Sequence, residues 1–123
     1  FLPLHPHLVY DALRTVGVKV KTDLMFYKIP TKNLVNNMNV VYLYRKENYI
    51  GPAAKINSED VHFIDIEEYE EMTELPIDTR NYYEEENKKG NKFGMFPFIP
   101  HILCLGEVSV LEAEVINWSE NNK

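Results

Sequence analysis

From Met38 onward the chain breaks into short runs of β-branched and aromatic residues set between turn signals. That pattern constrains the fold more than any other feature. Val40-Val41-Tyr42-Leu43-Tyr44, Val61-His62-Phe63-Ile64-Asp65-Ile66 and His101-Ile102-Leu103-Cys104-Leu105 have the length of strands and are too short for ordinary helices. Tyr49-Ile50 leads into Gly51-Pro52, a turn signal, Asn87 to Asn91 is a second, and Gly106 interrupts the last run. Lys92 to Ile99 is a further expected strand, broken at Pro97 and Pro100. Short strands joined by turns pair antiparallel. The expected fold is α+β, mainly antiparallel β, a small barrel or curved sheet with an N-terminal helix.

That helix is expected over Pro6 to Arg14. Proline suits a first turn because its missing N–H has no partner there. Leu8, Val9, Ala12, Leu13 and Val16 share a face at three- and four-residue steps, and Gly17 is a stop. Val18-Lys19-Val20-Lys21 alternates apolar and basic residues, as an edge strand does. Asp23 to Ile29 is expected to form a second strand ending at Pro30, followed by a turn or one helical turn from Thr31 to Asn37. Glu107 to Trp118 fits both periods, with Val115-Ile116 favouring strand slightly. The 123 residues have the size of a single domain. Residues 1–37 read as a helix and strand extension and residues 38–118 as the β-rich body.

Charge is unevenly placed. Residues 1–58 carry a balance of +5 and residues 59–123 one of −11, which together make the net −6. Twelve acids lie between Glu59 and Glu86, opposed only by Arg80. Glu67 to Glu86 therefore reads as a solvated acidic loop. Such a surface repels nucleic acid and attracts basic partners. A single cysteine, Cys104, forbids an internal disulfide and points to an intracellular setting. No apolar run approaches the 18 residues of a membrane span, so no membrane partner is expected. The chain starts at Phe1 rather than Met, as a trimmed or processed product does, and shows no signal-peptide pattern.

Catalytic and metal chemistry find little footing. His5, His7, His101 and Cys104 are the donor types of a zinc site, but their spacing matches no zinc pattern, and Cys104 sits in an apolar run. Cys104 with His101 or His62 is a thinkable dyad, yet an apolar setting raises a thiol pKa, the wrong direction for a nucleophile. Asp65, Glu67, Glu68, Glu70, Glu71 and Glu74 lack the alternating Asp/Asn and central Gly of a calcium loop. No phosphate-binding glycine loop is present. No metal and no cofactor is implied.

The aromatic residues say more. Tyr42 and Tyr44 are two apart on a strand and share a face. Tyr82-Tyr83 and Phe96/Phe98 add further pairs, and an aromatic face with an acidic rim suits a peptide with apolar and basic residues. The order of motifs resembles a Src-homology-3 domain over Val40 to Leu105. Val40-Val41-Tyr42-Leu43-Tyr44 looks like that family's Ala-Leu-Tyr-Asp-Tyr strand, with Leu43 in place of Asp. Asn57-Ser58-Glu59-Asp60 before Val61-His62-Phe63-Ile64 is similar to its turn into a second strand, Tyr82-Tyr83 stands where a tandem Trp pair would be, and Gly94-Met95-Phe96-Pro97 resembles its Gly-x-Phe-Pro. The resemblance implies a small barrel and a groove for a proline-rich peptide lined by Tyr42, Tyr44, Tyr82 and Pro97.

The expected function is a non-catalytic protein-interaction domain with a basic or proline-rich protein partner and no direct nucleic-acid contact. Its expected binding residues are Tyr42, Tyr44, Tyr82, Tyr83, Pro97, Glu67, Glu68, Glu70 and Glu71. The alternatives are an acidic inhibitor that mimics nucleic acid and a structural subunit of a larger assembly. An enzyme ranks fourth.

Overall fold

A computed structural model describes residues 1–48 and 58–120. The expected turn at Gly51-Pro52 and the start of the Asn57–Asp60 turn lie outside the described residues. The elements are α1 (His7–Thr15), β1 (Met25–Lys28), β2 (Met38–Tyr42), β3 (Val61–Phe63), α2 (Ile77–Lys89), β4 (His101–Leu105) and β5 (Glu114–Asn117). Thr31–Asn33, Lys46–Asn48 and Ser58–Asp60 form 3-10 turns.

Helix α1 forms where its apolar stripe requires. Val9, Tyr10, Ala12 and Leu13 are buried. Pro6 begins it, and Gly17, at φ +95°, ends it. The Gly17 N–H donates to Arg14 O at 3.0 Å and Val18 N–H to Leu13 O at 3.0 Å. This pair of bonds is the Schellman closure, which satisfies carbonyls that the last turn leaves open.

The strands form two separate antiparallel sheets. β1 pairs with β5, placing Phe26 opposite Ile116. In the other sheet the order is β3-β2-β4, so Val40 lies between Phe63 and Leu103. The fold is thus α+β, with antiparallel sheets, and the described strands do not close into a barrel. The ambiguous C-terminal segment resolves to strand because Val115 and Ile116 pair with Tyr27 and Phe26.

Three local expectations are corrected. Val18 to Lys21 is not a strand, although its alternation is real: Val18 and Val20 are half-buried and Lys19 and Lys21 exposed. The Lys21 carbonyl accepts the Trp118 indole N–H at 2.7 Å rather than a strand partner. The acidic segment 67–86 is not a loop throughout, since its second half begins α2. Glutamates are good helix formers. Asp78 lies in the first turn and Lys88 and Lys89 in the last, each favourable to the helix dipole, and Gly90 at φ +72° closes the end. An apolar stripe is missing because this helix is held by few side chains, Thr79 and Tyr83 being the buried ones.

Those two side chains also explain the third correction, that Lys92 to Ile99 is not a strand. Thr79 Oγ1 donates to Pro97 O at 2.8 Å, and the Tyr83 hydroxyl donates to Met95 O. Burial pushes the Tyr83 phenol well above the usual tyrosine range, so it keeps the proton it donates. The segment gives the Met95 and Pro97 carbonyls to α2, holds Pro97 without an N–H group and is followed by Pro100, which leaves little with which to build a ladder.

The main core joins α1 to Leu4, Tyr83, Ile99 and Trp118, and a smaller cluster under the three-stranded sheet holds Leu34, Ile66 and Ile102. Trp118 packs on Tyr10 and Phe26 at centroid distances of 5.4 and 6.1 Å. Replacing Trp118 with Ala is expected to cost about 4 kcal/mol, through lost burial and a residual cavity. Thr79→Val, which removes one buried hydrogen bond, is expected to cost about 1–2 kcal/mol. Urea denaturation followed by circular dichroism checks both values and their order.

Candidate functional site

The end of β2 and the turn before β4 build the surface on which the aromatic residues converge. Strand alternation sends Asn39 and Val41 inward and leaves Met38, Val40 and Tyr42 on the outer face. In β4, Ile102 is buried while His101, Leu103 and Leu105 lie on that outer face. The register sets Tyr42 opposite His101, Val40 opposite Leu103 and Met38 opposite Leu105. The result is an apolar sheet face on which Phe63 is 77% exposed, Leu105 59% and Met38 53%.

One end of this face is aromatic. Tyr42 packs on Tyr44 at 5.2 Å between ring centroids, and Tyr44 packs on His101 at 5.4 Å. Phe98, which is buried, meets two tyrosine rings at right angles: Tyr44 at 5.8 Å and Tyr82, from α2, at 5.7 Å. Both are T-shaped, the arrangement a ring quadrupole favours. Tyr42, Tyr44 and Tyr82 remain half-buried, so each keeps part of its ring at the surface.

Two backbone outliers meet at this point. Tyr44 has φ +53° and Phe98 φ +64°, and they are the non-glycine residues with positive φ among those described. A left-handed conformation costs an ordinary L-residue on the order of 1–2 kcal/mol. Here two aromatic residues adopt it side by side, in ring contact. Such strain persists where surrounding structure holds it, and it clusters at binding sites. The hold on Tyr44 is visible in its neighbours. Leu43 N–H donates to Asp60 O at 2.8 Å, and Arg45 Nε donates to Asp60 Oδ1 at 2.8 Å, with Asp60 buried. The bonded Asp60 carboxylate holds the Arg45 guanidinium above its ordinary pKa.

The expected site residues divide into three groups. Tyr44 and Tyr82 come together on Phe98, and Tyr42 joins them through Tyr44. Tyr83 and Pro97 do not reach the surface: Tyr83 is 0% exposed, stacked on Phe93 at 5.7 Å, and Pro97 is buried with its carbonyl bonded to Thr79. They support the aromatic row from beneath. Glu67, Glu68, Glu70 and Glu71 are exposed along the segment that follows Ile66. Phe98, noted in the sequence only as a pair with Phe96, and His101, weighed there only for metal and nucleophile chemistry, join the row without having been named as binding residues. Phe98 sits between two prolines, where an aromatic residue signals a fixed irregular turn.

Of the metal and nucleophile candidates, His7, His101 and Cys104 are hydrogen-bonded within the fold. His101 Nδ1–H donates to Ile99 O at 2.6 Å, and His7 Nδ1–H to Trp118 O at 3.0 Å. Asn37 Nδ2 donates to Cys104 Sγ at 3.3 Å. Among the described residues no group of three or more His, Cys, Asp or Glu side chains is placed to hold a metal ion. None of the described helices is long and apolar enough to cross a membrane. No family model, curated protein or solved structure matches this chain.

Burial holds the His101 pKa below the ordinary histidine value of 6.5. The unfolded chain therefore binds a proton at this position before the folded chain does as pH falls. His101 thus lowers stability as pH drops below about 6.5 and has no such effect above it. His101→Gln is expected to lose less stability than the parent chain between pH 7.5 and 5.5, read from urea midpoints at the two pH values.

Proposed function

We propose that this chain is a non-catalytic protein-interaction domain whose Tyr42, Tyr44 and Tyr82 receive a proline-rich segment in the polyproline II conformation. One observation carries the reading. Three half-exposed tyrosines form one aromatic row, Tyr42 packed on Tyr44 and both Tyr44 and Tyr82 packed on the buried Phe98, where Tyr44 and Phe98 share a left-handed backbone. Proline rings pack well on aromatic faces, and a polyproline II helix binds without much loss of chain entropy, since it is largely formed beforehand. The resemblance to Src-homology-3 domains supports the same assignment, because it implies Tyr42, Tyr44 and Tyr82 as groove residues.

A second reading, a subunit of a larger assembly, is favoured by the outer face of the β3-β2-β4 sheet. Phe63, Met38, Leu103 and Leu105 extend the aromatic row as an exposed apolar surface. Contiguous apolar patches of this kind mark protein interfaces. The acidic-mimic reading has less behind it. Asp60 is buried in an ion pair, and the other acids of the run are spread over Glu59 in the 3-10 turn, Asp65, the segment after Ile66 and α2.

Titration of the isotope-labelled chain with a proline-rich peptide, followed by nuclear magnetic resonance, tests the proposal. Shifts are expected at Tyr42, Tyr44 and Tyr82. Tyr44→Ala, with its fold checked by circular dichroism, is expected to weaken binding about tenfold, which corresponds to about 1.4 kcal/mol. Absence of shifts at these tyrosines across a panel of proline-rich peptides would sink the reading.

A further inference from the structure

His101 borders a second feature, a cleft of about 790 Å³ that lies between the N-terminal segment, β1 and the segment Ile66–Glu71. That volume is within the usual range of small-molecule sites. The N-terminal segment forms one wall and is tied to the body. Met72 N–H donates to Pro3 O and Ile102 N–H to Phe1 O, both at 2.7 Å. The lining is largely apolar, with Leu2, Ile29, Leu34, Phe96 and Ile116 in it.

The few polar groups of the walls decide what fits. Among the lining side chains, Lys28 and Glu71 carry one charge of each sign, and both are exposed. Tyr69 and His101 line the same cleft and are half-buried. His101 commits Nδ1–H to Ile99 O, which leaves the lone pair of Nε2 as an acceptor. The Tyr69 hydroxyl is a donor. Among the described residues neither Tyr69 Oη nor His101 Nε2 has a hydrogen-bond partner, and neither atom is sealed from solvent. The titratable groups report a setting of low polarity. Burial raises the Tyr69 phenol and lowers both His101 and the Phe1 amino group, each toward its uncharged form. A setting that penalises charge on its own walls also penalises an unpaired charge on a ligand.

We propose that this cleft binds an uncharged, largely apolar small molecule that carries a hydroxyl group. Its hydrocarbon body lies among Leu2, Ile29, Leu34 and Phe96. Its hydroxyl matches the two open wall atoms, since it can accept from the Tyr69 hydroxyl and donate to His101 Nε2. This ligand differs in chemistry and place from the proline-rich segment of the tyrosine row, and the inference does not rest on that reading.

The neutral dye Nile red is bound to the whole chain near neutral pH and displaced by 1-decanol, decanoate or decylammonium, with dye fluorescence as the readout. The three competitors share one hydrocarbon chain and differ in the head group. Decanol is expected to displace the dye at a concentration at least about tenfold lower than either ion, because only the ions carry a charge into the cleft. Tyr69→Phe, which keeps the ring and removes the donor, is expected to weaken decanol binding about fivefold, with the fold checked by circular dichroism. Decanol added to the isotope-labelled parent chain is expected to shift the amide resonances of Ile29, Leu34 and Tyr69 and to leave that of Tyr82 in place. Displacement by either ion as strong as by decanol, undiminished decanol binding by Tyr69→Phe, or shifts confined to the tyrosine row would each overturn the proposal. So would the absence of saturable decanol binding.

Discussion

Two backbone carbonyls organise much of this molecule. Met95 O and Pro97 O are taken by Tyr83 and Thr79 of α2. A buried carbonyl without a donor costs on the order of 1–3 kcal/mol, so these bonds are obligatory once the segment is buried. They dock a helix that has almost no apolar stripe of its own. They also draw residues 93–98 out of any ladder and bring the chain into Ile99 at the centre of the core. Phe98 is left at positive φ, with its ring between Tyr44 and Tyr82. The tyrosine row therefore depends on two hydrogen bonds that lie beneath it.

Part of the site was legible before the fold. Tyr42 and Tyr44 were expected on one strand face and do pack together, but β2 ends at Tyr42 and Tyr44 stands beyond it at φ +53°, so strand alternation is not what joins them. The apolar turn at Gly94-Met95-Phe96-Pro97 marked the right neighbourhood. The acidic stretch after Ile66 was visible as charge. What could not be seen was depth. Tyr82 and Tyr83 are adjacent in sequence, yet on α2 they point about a quarter-turn apart, so one reaches Phe98 and the other is sealed in the core. Pro97 looked like a groove residue by pattern, and burial beneath α2 removes it from the surface.

The sequence by itself determined the elements whose cause is local. Helix α1 follows from an apolar stripe ended by Gly17, and β2, β3 and β4 follow from β-branched and aromatic runs. Tertiary structure decided the rest, for reasons that involve distant residues. Val18 to Lys21 and Lys92 to Ile99 carry strand-like patterns, but their carbonyls are claimed by Trp118, Thr79 and Tyr83 from elsewhere in the chain. Glu114 to Asn117 became a strand only because β1 was there to pair with it. Local periodicity reports which face of a segment is apolar. It carries no information about which remote donor will satisfy that segment's backbone, and here the donors chose the fold.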